Sequence, residues 1–223
     1  MMQLPMRRTL AIAVVVLAGL SPARASQLGS RSAEEWVRTL ESPARIENLK
    51  IDETIRTLQL KPGDIIADIG AGSGVFEAPL ARAVTAGDKA GKVYAVDIDQ
   101  GLLDAIEKKR NEYRIANVVT VLGRFADPNL PSRDVDVAFI NDVLHHIEDR
   151  AGYIKSLAGY LKPSGRIAVI DFHPDKGGHR AQPEMQVTKE QVATWMAAAG
   201  LKPVQELDLF SDKWFVIYGR PGR

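Results

Sequence analysis

The 223-residue sequence contains no cysteine and only 6% aromatic residues. Without thiols, a disulfide framework and a thiolate metal site are excluded, and the redox compartment cannot be read from cysteine use. No run of lysines or arginines marks a nucleic-acid or membrane-surface site, and the formal net charge is +1. We therefore expect no nucleic-acid partner. With 45% hydrophobic and 26% charged residues, the composition is that of a globular protein with one sizeable core.

An uncharged stretch near the N-terminus is too short to span a bilayer comfortably. Arg7 and Arg8 precede the run from Thr9 to Leu20, and the small residues Ala23 and Ala25 follow. This order is typical of a secretory signal peptide, or, with its arginine pair, of a twin-arginine signal. We predict that residues 1–25 are a signal peptide cleaved after Ala25, and that the mature protein is periplasmic or secreted without stable membrane insertion. The alternative is an uncleaved leader that anchors the protein to a membrane.

The next segment, residues 26–60, is predicted to form an N-terminal helical cap of two helices. Ser32 and Glu35 have the spacing of a capping box at the start of the first helix. Pro43 interrupts the pattern, and a second helix is predicted from Ile51 to Leu60.

Strands and helices then alternate through residues 61–223. Apolar runs predict five strands, at 65–69, 92–97, 118–122, 135–140 and 166–170, and a C-terminal hairpin at 204–209 and 214–218. Repeated strand–helix units favour a parallel sheet covered on both faces. The predicted fold class is α/β, a doubly wound, mostly parallel seven-stranded sheet with one antiparallel strand from the hairpin, plus the two N-terminal helices.

The stretch from Asp64 to Gly74 joins the first strand to a glycine-rich turn. Gly70, Gly72 and Gly74 allow a sharp turn and close approach of a ligand to the backbone. Asp68 stands two residues before the first glycine, and Asp97 ends the second strand. In an open parallel sheet, the ligand crevice lies at the carboxyl ends of such strands.

The acid before the glycines indicates which ligand class the turn binds. A dinucleotide site needs a third small residue where Val75 stands, and Asp68 would repel a pyrophosphate. A nicotinamide-dependent oxidoreductase is therefore disfavoured. An acid suits a ligand whose near end is positively charged.

The segment Asp68-Ile-Gly-Ala-Gly-Ser-Gly74, with Val96-Asp97-Ile98-Asp99 some twenty residues on, resembles the Rossmann-like (class I) methyltransferases that use S-adenosylmethionine. The segments Asn141–Ile147 and Leu161–Arg166 are similar to the branch related to ubiquinone/menaquinone methyltransferases. The resemblance covers about Ile51 to Gly219 and is strongest to exported bacterial members of unassigned substrate.

This resemblance implies S-adenosylmethionine as cofactor and gives each motif residue a role. Asp68 and the backbone of the glycine turn would hold its amino-acid end, Asp97 the ribose hydroxyls, and Ile98 the adenine. Relatives usually place an acid where Arg124 stands, so either Asp127 or backbone groups would contact the adenine amine. The implied cofactor-binding set is Asp68, Gly70, Ala71, Gly72, Gly74, Asp97, Ile98, Gly123, Arg124, Asp127 and Asn141.

The candidate catalytic residues are His145, His146 and Asp142, which follow the fourth strand. A general base helps methyl transfer only when the acceptor carries a proton with a high pKa. Side chains of adjacent histidines on a helix point about 100° apart, so we expect no metal between them. The loop from His173 to His179 is expected to be a lid on the acceptor side.

Two functions therefore remain open. The first is an S-adenosylmethionine-dependent methyltransferase that acts on a small-molecule acceptor by in-line displacement, since no insertion is large enough for a macromolecular acceptor. The alternative is an exported, non-catalytic binding protein that retains the methyltransferase fold.

Overall fold

A computed structural model gives the structure of the chain and describes residues 31–176 and 181–221. The predicted signal peptide, residues 1–25, lies outside the described residues, as does part of the predicted lid between His173 and His179. Within the described ranges, no helix combines the length and hydrophobicity that crossing a bilayer requires.

Three short helices, one more than predicted, form the N-terminal cap: α1 (Ala33–Leu40), α2 (Pro43–Asn48) and α3 (Ile51–Thr57). The capping box of α1 is confirmed, because the Ser32 side chain accepts from the Glu35 N–H at 3.2 Å and Glu35 accepts from the Ser32 N–H at 2.9 Å. The extra helix is α2. Pro43 begins this helix rather than only interrupting the pattern, since proline is well tolerated at the first helical position.

A seven-stranded sheet follows, as predicted. Its strands are β1 (Ile65–Ile69), β4 (Lys92–Asp97), β5 (Val118–Leu122), β6 (Val135–Asn141), β7 (Leu161–Phe172), β8 (Lys202–Leu207) and β9 (Lys213–Gly219). A separate two-stranded hairpin consists of β2 (Thr85–Ala86) and β3 (Lys89–Ala90). The order in the large sheet is β5-β4-β1-β6-β7-β9-β8. Its first five strands pair in parallel, and β9 is antiparallel to both neighbours, which confirms the single antiparallel strand.

Helices cover both faces of the sheet. They are α4 (Glu77–Ala83), α5 (Gln100–Glu112), α6 (Arg150–Ala158) and α7 (Lys189–Ala198), with 3₁₀ turns at Leu144–His146 and Pro183–Met185. One apolar cluster joins Leu80 of α4 and Leu103 of α5 to the sheet. The other joins Leu157 of α6 and Met196 of α7 to it. The sheet is therefore doubly wound.

The strand order reverses beside β1. From β1 the chain runs outward to β4 and β5, then returns to β6 on the opposite side of β1. In open α/β sheets, ligand crevices form at such a point, outside the carboxyl ends of the strands. The residues that end β1, β4, β6 and β7 consequently meet at one edge, which we call the carboxyl edge.

The fifth long strand, β7, is longer than the predicted 166–170. It starts at Leu161, opposite Val135, and its pairing with β6 shifts between Val135 and Val137. Pro163 lies in this irregular part, because a proline is accommodated in a strand where the ladder is already interrupted.

Candidate functional site

The glycine turn after β1 has a backbone that ordinary residues adopt only with strain. Gly70, Gly72 and Gly74 have φ angles of +71°, +57° and +80°. A Cβ on Gly70 would lie 2.3 Å from Cγ2 of Val143, so only glycine fits there. The N–H groups of Gly70 and Ala71 donate to the Val96 carbonyl at 2.8 and 2.9 Å, which fixes the turn against the end of β4.

Asp97 ends β4 and faces the turn. Its Oδ2 accepts from the Gly72 N–H at 2.9 Å, and its Oδ1 accepts from the Asp99 N–H at 3.0 Å. Burial raises the pKa of Asp97, although these backbone hydrogen bonds oppose the rise. Asp99 itself caps α5 by accepting from the Gly101 N–H at 2.8 Å. The structure thus brings Asp97 and the glycine turn together.

Asp68, on β1, has a neighbour that the sequence analysis missed. It is buried with Glu77, the first residue of α4, and each carboxyl group affects the pKa of the other. Burial raises the pKa of Asp68 to about 7. Burial, with the charge of Asp68 beside it, also raises the pKa of Glu77 well above its usual value. The position of this acid between the apolar residues Phe76 and Leu80 was the available signal.

The remaining strand ends carry the residues expected near an adenine. Ile98 follows Asp97 and is 37% exposed, which is unusual for an isoleucine beside a buried strand. The Gly123 N–H donates to the Asp97 carbonyl at 2.9 Å, so the end of β5 is held beside that of β4. Asn141 is the last residue of β6 and is half-buried. These three residues border the crevice.

Asp127 is held by α6 and by the turn that follows this helix. Its carboxylate accepts from the hydroxyl of Tyr160 at 2.9 Å and from that of Ser156. Burial acts to raise the pKa of Asp127, but these hydrogen bonds, with one from the Asn129 N–H, outweigh it and lower the pKa. Arg124 is exposed and bonds Asp127 through the backbone at 2.8 Å. An adenine contact from Asp127 or Arg124 stays a prediction.

Asp142, at the end of β6, forms a buried ion pair. Lys213, the first residue of β9, lies 2.7 Å from its Oδ2, and Arg45 of α2 lies 3.5 Å from the same atom. The Lys213 ammonium also lies over the rings of Phe172 and Phe210, 4.7 and 5.4 Å from their centroids. Lys213 was not predicted, because a lysine ahead of a strand is ordinarily solvated. Asp142 is thus held by two cations.

His145 is paired with Asp171 at the ends of β6 and β7. Its Nδ1 lies 2.7 Å from Oδ1 of Asp171, and its backbone N–H donates to Oδ2 at 3.2 Å. Both residues are buried, whereas His146 is exposed. The two imidazole rings lie only 4.2 Å apart, since they belong to a 3₁₀ turn and not to the α-helix assumed from the sequence.

A small, partly open pocket adjoins this pair. Its walls are mostly apolar, and His145 and Asp171 supply polar groups on one side. The lining residues are His145, Asp171, Phe172, His173, Pro174, Met185, Gln186 and Val187.

The N-terminal cap contacts the glycine turn. Lys109 of α5 bonds both Glu41, at the end of α1, and the Ser73 carbonyl, the latter at 2.8 Å. A Cβ on Gly72 would lie 3.1 Å from Cδ1 of Leu40. The cap therefore closes one side of the crevice.

Comparison with known proteins agrees with this architecture. Residues 67–169 match the model of a family described as a methyltransferase domain. The chain is 34% identical over 110 residues to an uncharacterized methyltransferase of Mycobacterium bovis, covering 48% of this chain and 50% of that protein. It is 32% identical over 120 residues to a ubiquinone/menaquinone biosynthesis C-methyltransferase of Vibrio parahaemolyticus, covering 53% of this chain and 45% of that protein. The chain thus spans about half the length of the curated relatives it matches.

Among solved structures, a SAM dependent methyltransferase from Aquifex aeolicus superposes with a TM-score of 0.74 at 23% identity, over 84% of this chain and 98% of that chain. The predicted fold is confirmed as one shared with that protein. The matched region contains the glycine turn, Asp97 and Asp142. The comparisons therefore support the class I methyltransferase resemblance that these motifs indicated.

Proposed function

We propose that the chain is an S-adenosylmethionine-dependent methyltransferase that transfers a methyl group to a small-molecule acceptor by in-line displacement. The observation that carries the proposal is the pairing of the glycine turn with Asp97 at the point where strand order reverses. A carboxylate beside an open backbone turn is suited to a ligand with vicinal hydroxyls.

The charges at the crevice fit this cofactor. Asp68 and Glu77 are two buried acids at the glycine turn, so the site favours a ligand end that is positively charged. Asp68 and the turn would hold the cationic amino-acid end, Asp97 the ribose, and Ile98 the adenine. The half-exposed Ile98 offers the apolar surface that a base requires.

The acceptor would occupy the pocket beside His145. When bound, the cofactor supplies a methyl group already activated on a sulfonium, so the protein mainly orients the partners and excludes water. Because ionised Asp171 can only accept, Nδ1 of His145 carries the proton and Nε2 is the basic nitrogen. His145 is thus the candidate base for a proton on the acceptor. Asp142 is paired with Lys213, so we assign it a role in holding the strand ends around the crevice and no role in proton transfer.

Calorimetric titration with S-adenosylhomocysteine tests the proposal. We expect the protein to bind S-adenosylhomocysteine with micromolar affinity. Asp97→Ala should weaken this affinity about tenfold to a hundredfold, the loss typical of a charged hydrogen-bonding group. Asp88→Ala, in the exposed turn between β2 and β3, is the matched control and should bind normally. No binding at millimolar ligand would defeat the proposal.

We also propose that the mature protein is periplasmic or secreted. The support is the order of basic, apolar and small residues in positions 1–25. N-terminal sequencing of exported protein should begin at Ser26. A sequence that begins at Met1 or Met2 would contradict cleavage and favour the anchored alternative.

The same leader favours a second candidate, a non-catalytic binding protein with this fold, because S-adenosylmethionine is made in the cytosol. The two candidates differ in turnover. Binding of S-adenosylhomocysteine without methyl transfer to any of a broad panel of small acceptors would support the binding protein.

A further inference from the structure

Glu77 lies beside Asp68 where the glycine turn enters α4. Both residues are 3% exposed. Neither carboxyl oxygen of Glu77 has a hydrogen-bond partner among the residues that the structure describes. Its Oε2 would lie 3.2 Å from a Cβ on Gly74, so the carboxyl group faces the turn. A buried acid without an external donor needs a physical explanation.

A proton on one of the two carboxyl groups supplies that explanation. Two ionised carboxylates cannot hydrogen-bond each other, and they repel strongly when buried. The charged groups acting on the pair from neighbouring elements are Asp97 of β4, which repels, and Lys109 of α5, which attracts. The Lys109 ammonium is bonded to Glu41 and to the Ser73 carbonyl, so it does not neutralise the pair directly.

The pair is asymmetric, which decides where the proton resides. Both carboxyl oxygens of Glu77 are buried without a donor, so ionising Glu77 is the costlier of the two, and burial raises the pKa of Glu77 well above its usual value. Glu77 is therefore the donor and Asp68 the acceptor.

We propose that Glu77 is a neutral positioning residue whose carboxylic O–H donates to Asp68, keeping that carboxylate ionised and oriented toward the ammonium group of the cofactor. This inference rests on the proposed function, and it adds to it a residue that recognises the cofactor only through Asp68. Affinity for a cationic ligand then depends on the ionisation of Asp68, whose pKa is about 7. Affinity should fall as pH drops below 7, by up to tenfold per pH unit.

Two substitutions of Glu77 with side chains of similar size test whether it acts as a neutral hydrogen-bond donor or as an ionised ligand of the cofactor. Glu77→Gln keeps a hydrogen-bond donor without charge, and Glu77→Met removes both donor and charge. In calorimetric titrations with S-adenosylhomocysteine at pH 7, we expect Glu77→Gln to bind within about threefold of wild type. Glu77→Met should bind about tenfold more weakly, the effect of one lost hydrogen bond to a charged group. The pH midpoint of its affinity should also move upward. Glu112→Gln, on an exposed side chain at the end of α5, is the control.

Equal weakening of Glu77→Gln and Glu77→Met would overturn the inference, because it would mean that Glu77 acts as an ionised ligand. Wild-type affinity in both would overturn it as well. If wild type binds no S-adenosylhomocysteine, the proposed function fails. Urea unfolding without ligand then determines whether Glu77 carries a proton in the folded protein. If Glu77 is neutral in the folded protein, wild type loses stability relative to Glu77→Gln as pH rises. Between pH 5 and 7, the ratio of the wild-type unfolding constant to that of the variant should then increase about tenfold per pH unit. An unchanged ratio would show that Glu77 is ionised in the folded protein.

Discussion

Buried charges at the carboxyl edge differ in what compensates them. Asp142 has Lys213 and Arg45, Asp171 has His145, and Asp97 has backbone N–H groups. Asp68 and Glu77 have chiefly each other. In the first three arrangements, groups of the protein itself compensate the carboxylate. The acid pair gains most from an added cation, because a buried carboxylate without a counter-charge is costly.

The pairing of His145 with Asp171 predicts a single imidazole tautomer. We expect ¹⁵N NMR to find the proton on Nδ1, since the ionised Asp171 accepts there at 2.7 Å. Asp171→Asn should disturb this tautomer and, if an acceptor proton is abstracted, reduce methyl transfer by about 10²- to 10⁴-fold. His146→Gln, which changes the exposed neighbour, should leave the tautomer of His145 unchanged. A proton on Nε2 in wild type would remove His145 as the candidate base.

Among single residues, the sequence predicted the acids at strand ends and missed their buried partners. Asp68, Asp97 and Asp142 follow apolar runs, and this position alone directs them to the carboxyl edge. Glu77 and Lys213 are charged residues at the starts of elements, where the usual expectation is solvation. Their burial depends on packing between distant segments, and the position of Glu77 between the apolar Phe76 and Leu80 is the one local sign of it.

Among the elements, boundaries were predictable where a change of residue type coincides with a change of structure. β1, β4 and β5 match their predicted limits because glycine or polar residues flank short apolar runs. The helix α2 was not predicted, because Pro43 was read as an interruption, and the start of β7 was not predicted, because Pro163 precedes the apolar run that marks this strand. Proline is compatible with an irregular strand start and with the first turn of a helix, and tertiary context selects these uses.

The glycine turn should be far less tolerant of substitution than the turn between β2 and β3. Gly70→Ala adds a clash with Val143 to the strain of a φ of +71°, and we expect it to lower the free energy of unfolding by about 2–4 kcal/mol. Gly87 has a φ of +55° but nothing within 4 Å of an added Cβ, so Gly87→Ala should cost about 1 kcal/mol. Urea unfolding of both variants measures the difference. Equal costs would mean that Val143 yields readily.

For the whole molecule, the strand order explains why residues far apart in sequence share one site. The ends of β1, β4, β6 and β7 meet because the chain reverses direction beside β1. This much followed from alternating strands and helices. The attachment of the cap did not, because it depends on pairs such as Lys109 with Glu41 and Arg45 with Asp142, which are separated by many residues. Long-range pairs of this kind are not marked by periodicity.

Stability without cofactor should fall as pH rises from about 5 to 7, the range above the ordinary pKa of a carboxyl group. The folded protein raises the pKa of Asp68 to about 7 and raises that of Glu77 well above its usual value. In this range the unfolded chain has released protons that the folded chain retains. Each such group therefore lowers the free energy of unfolding by up to about 1.4 kcal/mol per pH unit.

Asp68→Asn tests the origin of this slope, because it removes one of the raised groups while retaining a side chain of similar size. Urea unfolding at pH 5, 6 and 7 should give a shallower decline than in wild type, whereas Asp88→Asn, in an exposed turn, should reproduce the wild-type slope. A cationic ligand favours the ionised form of Asp68. A bound cofactor should therefore also make the fall in the free energy of unfolding with rising pH shallower. An unchanged slope in Asp68→Asn would mean that Asp68 is already ionised in the folded protein. Binding of a cation near neutral pH would then depend on the fixed charge of Asp68 and would not involve the release of a proton.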